Sequence, residues 1–514
     1  MPTAASPAWS PHLPAGVGAK QVAALGEVGL TSAWVRRWSE DPGRTVVSDG
    51  GAWVTGSEMV DRTAQVAGRL HAVGLEPGDR LLLSATSSVE LVVAHVAALR
   101  LGLVVVPLNP AYRQREVGHV VADAAPTVAV VDDPERGRWI AEASTSSPVL
   151  VVGPDVSIPE GPTGGLDTTA LDTTALDTTP LDDVALLLYT SGTTAAPKGV
   201  PLTHRNLAAG AEAVAMAWRW TPEDRLVLGL PLFHLHGLGV GLHGTFTAGA
   251  SVVLRPSFEV DDVLDAAARY RASLFFGVPT MYGRLATSAR VGELAALRLC
   301  VSGSAPLPPA MHQRIAGAGG QLVLERYGMT ETMMLTSNPY VGERRSGTVG
   351  FALPGVELRL DAATDEIVVR GPNVFAGYRH HPEADGDPPV GDPSPGGWFP
   401  TGDVGAFDAD GYLSIVGRRK DLIISGGYNV YPREVEDVLR RHPGVGDVAV
   451  VGVADPVWGE AVVAFVEGGE AGADLMSAVA DELASYKRPK RIHHVDALPR
   501  NALGKVVRAQ LFEP

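Results

Sequence analysis

Apolar positions in the first 300 residues switch repeatedly between two periods. Gly56 to Val73 is amphipathic at helical spacing, Asp79 to Ser84 is a short apolar run, and Val89 to Leu103 returns to a helical pattern. A second alternating block runs from Val184 to Leu299, with strand-like stretches at Ala185 to Leu188, Leu226 to Leu228, Ser251 to Leu254 and Leu274 to Phe276. Helices alternating with short buried strands predict a largely parallel α/β body.

Between the blocks the pattern fails. Gly153 to Pro180 carries a threefold pentad, Leu-Asp-Thr-Thr-Ala twice and then Leu176-Asp177-Thr178-Thr179-Pro180, which is too short and polar to bury a core and reads as an expanded surface loop. Past Gly371 the chain turns Pro- and Gly-rich, gives a hairpin signal at Asp408-Ala409-Asp410-Gly411, and reaches Gly417-Arg418-Arg419-Lys420-Asp421, where a domain boundary is expected. Beyond it a small mixed unit is predicted: helix 432–441, strands 447–453 and 461–466, helix 475–485, and a basic end.

Composition narrows the class. The 514 residues are 45% hydrophobic with a formal net charge of −16, which suits a large globular chain and disfavours nonspecific contact with nucleic acid or anionic membrane. Any anion site must then be built locally. Cys300 is the only cysteine, so thiolate zinc sites and intrachain disulfides are excluded, and its setting in Leu299-Cys300-Val301 predicts a buried core strand. No apolar run approaches the ~20 residues that span a bilayer, and Met1 to Leu30 lacks the pattern of a signal peptide. A cytoplasmic protein is expected.

Four segments carry chemistry. Tyr189-Thr190-Ser191-Gly192-Thr193-Thr194-Ala195-Ala196-Pro197-Lys198 follows the apolar strand Val184 to Leu188 and offers hydroxyls, backbone donors and a cation to polyphosphate oxygens. It is not a Walker loop, because no Gly directly precedes Lys198. Glu325-Arg326-Tyr327-Gly328-Met329-Thr330-Glu331 sits at another strand end, where Glu331 suits a magnesium ion shared with phosphate. Asp403, in Phe399-Pro400-Thr401-Gly402-Asp403, is placed in a turn from which a carboxylate can accept both hydroxyls of a ribose. Pro499 to Lys505 ends on a lysine flanked by small residues.

Taken together, in order and spacing, these segments resemble the adenylate-forming superfamily of acyl-CoA synthetases, luciferases and peptide-synthetase adenylation domains. The resemblance implies a large N-terminal domain, 1–417, of two sheet-and-helix layers plus a β-barrel portion, and a small mobile α+β domain, 418–514. It implies ATP, Mg2+ and coenzyme A as reactants and two half-reactions, adenylation of a carboxylate and then thiol attack. Residue by residue it makes Thr190, Ser191, Gly192, Thr193, Thr194 and Lys198 the phosphate cradle. Gly303, Ser304, Ala305, Arg326, Tyr327 and Gly328 become the nucleotide wall, Thr330 a phosphate contact, and Glu331 the metal carboxylate. Asp403 and Arg418 hold the ribose, Lys505 is the catalytic lysine, Lys420 marks the hinge near 418–421, and Ser425, Gly426 and Gly427 form the face that receives coenzyme A.

The acyl side is expected from His234, Ser304, Met329 and above all Arg284, in Gly277-Val278-Pro279-Thr280-Met281-Tyr282-Gly283-Arg284. A guanidinium in an apolar pocket segment calls for a second carboxylate on the substrate. The combination resembles malonyl-CoA synthetases, which implies malonate or methylmalonate as the acid. A short- or medium-chain fatty acid is the alternative within the class. An amino-acid adenylation domain and a non-enzymatic adenylate binder are less favoured, since no carrier domain follows Pro514 and both Glu331 and Lys505 are retained.

Overall fold

The computed structural model describes residues 8–144, 147–157, 172–190, 197–319, 321–379, 393, 396–425, 428–455, 458–468, 475–483, 485–501 and 504–511. Two compact units are formed, Met1–Glu357 with Val369–Phe399, and Leu358–Val368 with Pro400–Pro514. The expected boundary at Gly417 falls inside a strand of the second unit.

The first unit is built on two sheets. One has six strands in the order Leu150–Val152, Val128–Val131, Arg80–Ser84, Val104–Pro107, Val184–Thr190, Lys198–Thr203. The other has nine, and its centre is the parallel series Leu324–Met329, Leu299–Ser302, Leu274–Gly277, Arg225–Leu228, Ser251–Leu254. Apart from Leu324–Met329, which carries Glu325 and Arg326, the strands of that series are short, largely apolar runs covered on both faces, which is why they lack polar alternation. Cys300 lies on one of them and is fully buried, as its context predicted.

Helix placement follows local chemistry. Gly56–Ala72 starts on a reciprocal cap: Thr55 N donates to Glu58 Oε2 at 2.7 Å, and Glu58 N donates to Thr55 Oγ1 at 3.4 Å. Val89–Arg100 is capped by Ser88 and has every residue but Glu90 buried, so it packs largely in the interior rather than on a surface. Arg100 is affordable there because its Nε donates to Asp177 Oδ2 at 3.1 Å and its Nη1 to Thr63. Asp177 belongs to the third pentad, and Leu176 beside it is 5% exposed. That pentad is therefore not a free surface loop, because the ion pair and one leucine dock it onto the interior helix. The first pentad lies outside the described residues.

The second unit contains a four-stranded sheet, Glu357–Leu360, Glu366–Arg370, Phe399–Phe407 and Leu413–Arg418, with the last two joined by the predicted hairpin at Asp408–Gly411. A five-stranded sheet follows, in which Val445–Asp455 pairs with Gly459–Gly468 and the helices Pro432–Arg440 and Leu475–Glu482 cover one face. Arg419 binds Glu366 at 2.9 Å and Asp403 pairs with Arg418 within the four-stranded sheet, and Arg433 on helix Pro432–Arg440 donates to the Ile415 carbonyl, so the two parts of the unit are bonded as well as joined by chain. Those bonds explain why residues 400–417 join the second unit.

Candidate active site

Three parallel strands end side by side, with Gly277 opposite Ser302 and Ser302 opposite Glu325. Carboxyl ends of parallel strands are where open α/β sheets place ligands. The residues that follow form one wall. Gly303 has no room for a side chain, since a Cβ there would lie 2.2 Å from Arg326 Cζ. Ser304 takes a positive φ of 71°, a conformation that costs a non-glycine residue about 1 kcal/mol or more and marks sites held by their surroundings.

The Ser304 hydroxyl lies 3.3 Å from His236 Nδ1, and the His236 backbone donates to His234 Nδ1 at 3.2 Å. His236 opens a π-helical stretch, His236–Leu242, of the kind that recurs at functional sites, and Gly237 permits it because a Cβ would meet the Pro231 carbonyl at 2.3 Å. Burial pushes the His236 imidazole well below its ordinary range, and the charge of Arg326 adds to the effect. The ring is neutral at physiological pH, with Nε2 buried and unpartnered.

Arg326 is the least expected member of this wall. It is 4% exposed, its Nε and Nη2 have no hydrogen-bond partner, and no carboxylate among the described residues forms an ion pair with it. Burial lowers its guanidinium to about 9, which still leaves it charged at neutral pH. An uncompensated buried cation is costly unless a ligand completes it.

Arg284, expected inside the acyl pocket, behaves in the opposite way. Its side chain is half exposed, Nη2 binds Glu259 at 2.5 Å, Nη1 donates to the Phe258 carbonyl, and the group stacks over the Phe258 ring. The buried face of Pro279–Thr287 is Tyr282, Leu285 and Ala286, and Arg284 projects away from it.

The phosphate side is built from two hairpins. Thr190 and Lys198 are antiparallel partners that flank the predicted cradle; Ser191, Gly192, Thr193 and Thr194 lie outside the described residues. Tyr327, Gly328 and Met329 run down a strand that folds straight back through Thr330 and Glu331, a turn so tight that a Cβ on Gly328 would meet the Met333 carbonyl at 2.0 Å. Glu331 is 5% exposed, and its Oε1 accepts the Tyr378 hydroxyl at 2.8 Å. Lys198 Nζ stands 4.7 Å from the centre of the same Tyr378 ring.

A buried carboxylate such as that of Glu331 suits magnesium, which keeps substrate phosphates and waters among its ligands. No cluster of three or more metal-binding side chains exists among the described residues, so Glu331 fits a metal held jointly with a nucleotide.

In the second unit Asp403 and Arg418 are brought together, Oδ1 to Nε at 3.0 Å, as two ribose-binding side chains would require. Lys505 gathers at this pair. Although the residue reaches solvent, partial burial and repulsion from Arg418 lower its ammonium to about 8, while Asp403 pulls the other way and Lys420 adds repulsion. Lys420 is itself lowered, by burial and by Arg418. Ser425 is buried with its hydroxyl unpartnered; Gly426 and Gly427 lie outside the described residues.

The two units with this constellation define an AMP-binding enzyme, and the chain belongs to that family. Residues 34–379 match the AMP-binding enzyme family and residues 434–505 match the AMP-binding enzyme C-terminal domain. Among relatives, the feruloyl-CoA synthase of an Amycolatopsis species is 36% identical over 94% of this chain and 98% of its own. The malonate–CoA ligase of Arabidopsis thaliana is 35% identical over 86% of this chain and 79% of its own. The crystal structure of ATP-bound MatB from Rhodopseudomonas palustris superposes with a TM-score of 0.83 at 38% identity, covering 93% of this chain and 97% of that one. No helix among the described residues is long and apolar enough to cross a membrane.

Sequence reasoning named Arg326 only as part of the nucleotide wall and missed His236 and Tyr378. A charged pair, Glu325-Arg326, that continues the strand begun in the apolar run Leu322-Val323-Leu324 was the available signal for Arg326. Tyr378 had none, because the contacts that define it come from two distant hairpins.

Proposed function

We propose that this AMP-forming ligase joins malonate, or malonate with a small substituent at C2, to coenzyme A. The observation that carries the choice of acid is Arg326: a buried guanidinium, with no carboxylate partner among the described residues, beside Gly303, Ser304 and His236. A second substrate carboxylate supplies the missing anion and can bind such a fork in bidentate fashion. A fatty or aryl acid would leave the charge buried and unpaired, at a penalty of several kcal/mol. The likeness to malonate-named proteins supports the same reading, while the feruloyl-CoA relative shows that overall identity does not choose the acid.

In the first half-reaction a carboxylate oxygen of the acid attacks the α-phosphorus of ATP and the bond to the β-phosphate oxygen breaks, releasing pyrophosphate. Lys198 faces the departing phosphates, Glu331 would hold Mg2+, which would supply charge neutralisation there, and the Lys505 ammonium stabilises charge spread over the α-phosphate and attacking carboxylate. In the second, the thiol of coenzyme A loses its proton, the sulfur attacks the acyl carbon and AMP leaves. Asp403 and Arg418 hold the ribose through both, and rotation of the small domain about Lys420 exchanges Lys505 for the Ser425 face.

A coenzyme A consumption assay across malonate, methylmalonate, acetate, butyrate, octanoate and ferulate tests the proposal. Malonate or methylmalonate is expected to give the highest kcat/KM. Preference for octanoate or ferulate overturns the dicarboxylate reading and leaves the ligase chemistry intact.

A further inference from the structure

The segment Pro372–Arg379 crosses between the two sheets of the first unit and is bonded to both. On one side the Asn206 amide donates to the carbonyls of Pro372 and Val374 at 2.8 and 3.0 Å, and Arg379 N donates to the Gly199 carbonyl at 2.9 Å. On the other, Asn373 donates to the carbonyls of Thr332 and Met334, and Phe375 N donates to the Glu331 carbonyl at 2.9 Å. Phe375, 2% exposed, packs edge-on against the Tyr378 ring with centroids 4.9 Å apart. A phenol fixed at both its backbone and its ring has little freedom to choose its partners.

Those partners are the two charged groups on which the proposed ATP site rests. The hydroxyl donates to Glu331 Oε1, and the ring lies within cation–π range of Lys198. We propose that Tyr378 is a positioning residue: its hydroxyl aims the metal-side carboxylate, its ring seats the phosphate-side lysine, and the strap fixes the spacing between them. The inference rests on the assignment of Glu331 and Lys198 made above. It separates two jobs within one side chain, since a phenylalanine keeps the ring and loses the hydroxyl, whereas a leucine loses both.

Equilibrium binding of ATP by calorimetry, with the full chain, tests the separation in excess Mg2+ and again in EDTA. Wild-type protein is expected to bind ATP more tightly with the metal. Tyr378→Phe is expected to lose roughly tenfold in affinity for MgATP, the size of one hydrogen bond to a charged group, and to bind ATP in EDTA as wild type does. Tyr378→Leu is expected to lose a further few-fold in both conditions. Equal loss with and without metal in the Phe variant, or wild-type affinity for MgATP, overturns the proposal. If wild-type protein itself binds ATP identically in Mg2+ and EDTA, the assignment of Glu331 fails first and the inference falls with it. Melting curves of both variants confirm that the binding changes come from folded protein.

Discussion

Two arginines, one on the helix that follows strand Leu274–Gly277 and one inside strand Leu324–Met329, show how differently one side chain can be used. Arg284 is half exposed, bound to Glu259 and laid over Phe258, so its charge is satisfied by the protein and by water. Arg326 is 4% exposed, with two buried nitrogens unpartnered and no ion pair among the described residues. An exposed ion pair contributes about 0–1 kcal/mol and implies no ligand. A buried, unpaired guanidinium is tolerated only where something outside the chain completes it. The missing partner, more than the presence of an arginine, is what points to a dicarboxylate.

The sharpest way to break this contrast is Arg326→Met, which keeps much of the volume and removes the charge. Malonate turnover is expected to fall on the order of 10³-fold in kcat/KM, since separating a buried charge pair costs about 3–5 kcal/mol. Acetate and butyrate should change less than about fivefold. Without ligands the variant should melt higher than wild type, because an uncompensated charge has left the interior. Equal losses for all six acids, with a lower melting temperature, would place Arg326 among structural residues and return the choice of acid to an open question.

Lys505 extends the contrast to a cation that is lowered yet reaches solvent. Lys505→Ala should reduce adenylation, measured as pyrophosphate release, by at least about 10²-fold, the size expected when one preorganised donor to a charged transition state is lost. Thioester formation from supplied malonyl-adenylate should stay within about threefold of wild type. Comparable losses in both halves would contradict a role confined to the first.

Much of the fold was legible because each element carries its own signal. Ser251–Leu254 and Leu274–Gly277 are apolar runs bounded by turn residues, and the hairpin at Asp408–Gly411 is written in its Asp and Gly. Arg284 was expected in the acyl pocket, and its guanidinium lies on the exposed side of helix Pro279–Thr287. At 100° per residue, the face shared by Tyr282, Leu285 and Ala286 already turns Arg284 outward; the reasoning followed residue chemistry over helical period. Arg326 and Tyr378 were harder. Their meaning depends on Gly303, His236, Glu331 and Lys198, which are brought together from distant parts of the chain, so neighbouring residues do not reveal the partners. The docking of the third pentad escaped for the same reason, since Arg100 lies 77 residues before Asp177.

A pH profile sharpens the distinction between lysine and guanidinium. The ordinary lysine value is 10.5, and Lys505 is held down to about 8. Adenylation needs the charged form, which is full below that value, so the rate should be level to about pH 7 and decline roughly tenfold per pH unit above 8. Lys505→Arg keeps its charge throughout and should carry any residual rate past pH 9 without that decline. An unchanged alkaline limb in the Arg variant would assign the titration to another group.

The smallest effect is expected at Arg284, and its smallness is the point. Arg284→Ala removes an exposed pair with Glu259 and a stacking contact with Phe258, leaving no buried group unpaired. Stability should change by about 0.5 kcal/mol or less, and kcat/KM for malonate, acetate and butyrate should each stay within about twofold of wild type. The measurement is informative because the two arginines make opposite forecasts for the same substrate. A large, malonate-selective loss at Arg284 with none at Arg326 would mean that the second carboxylate is met on the outer face of helix Pro279–Thr287 after Glu259 gives way. The reverse pattern fixes the acyl pocket behind Gly303, where the unpaired charge already waits.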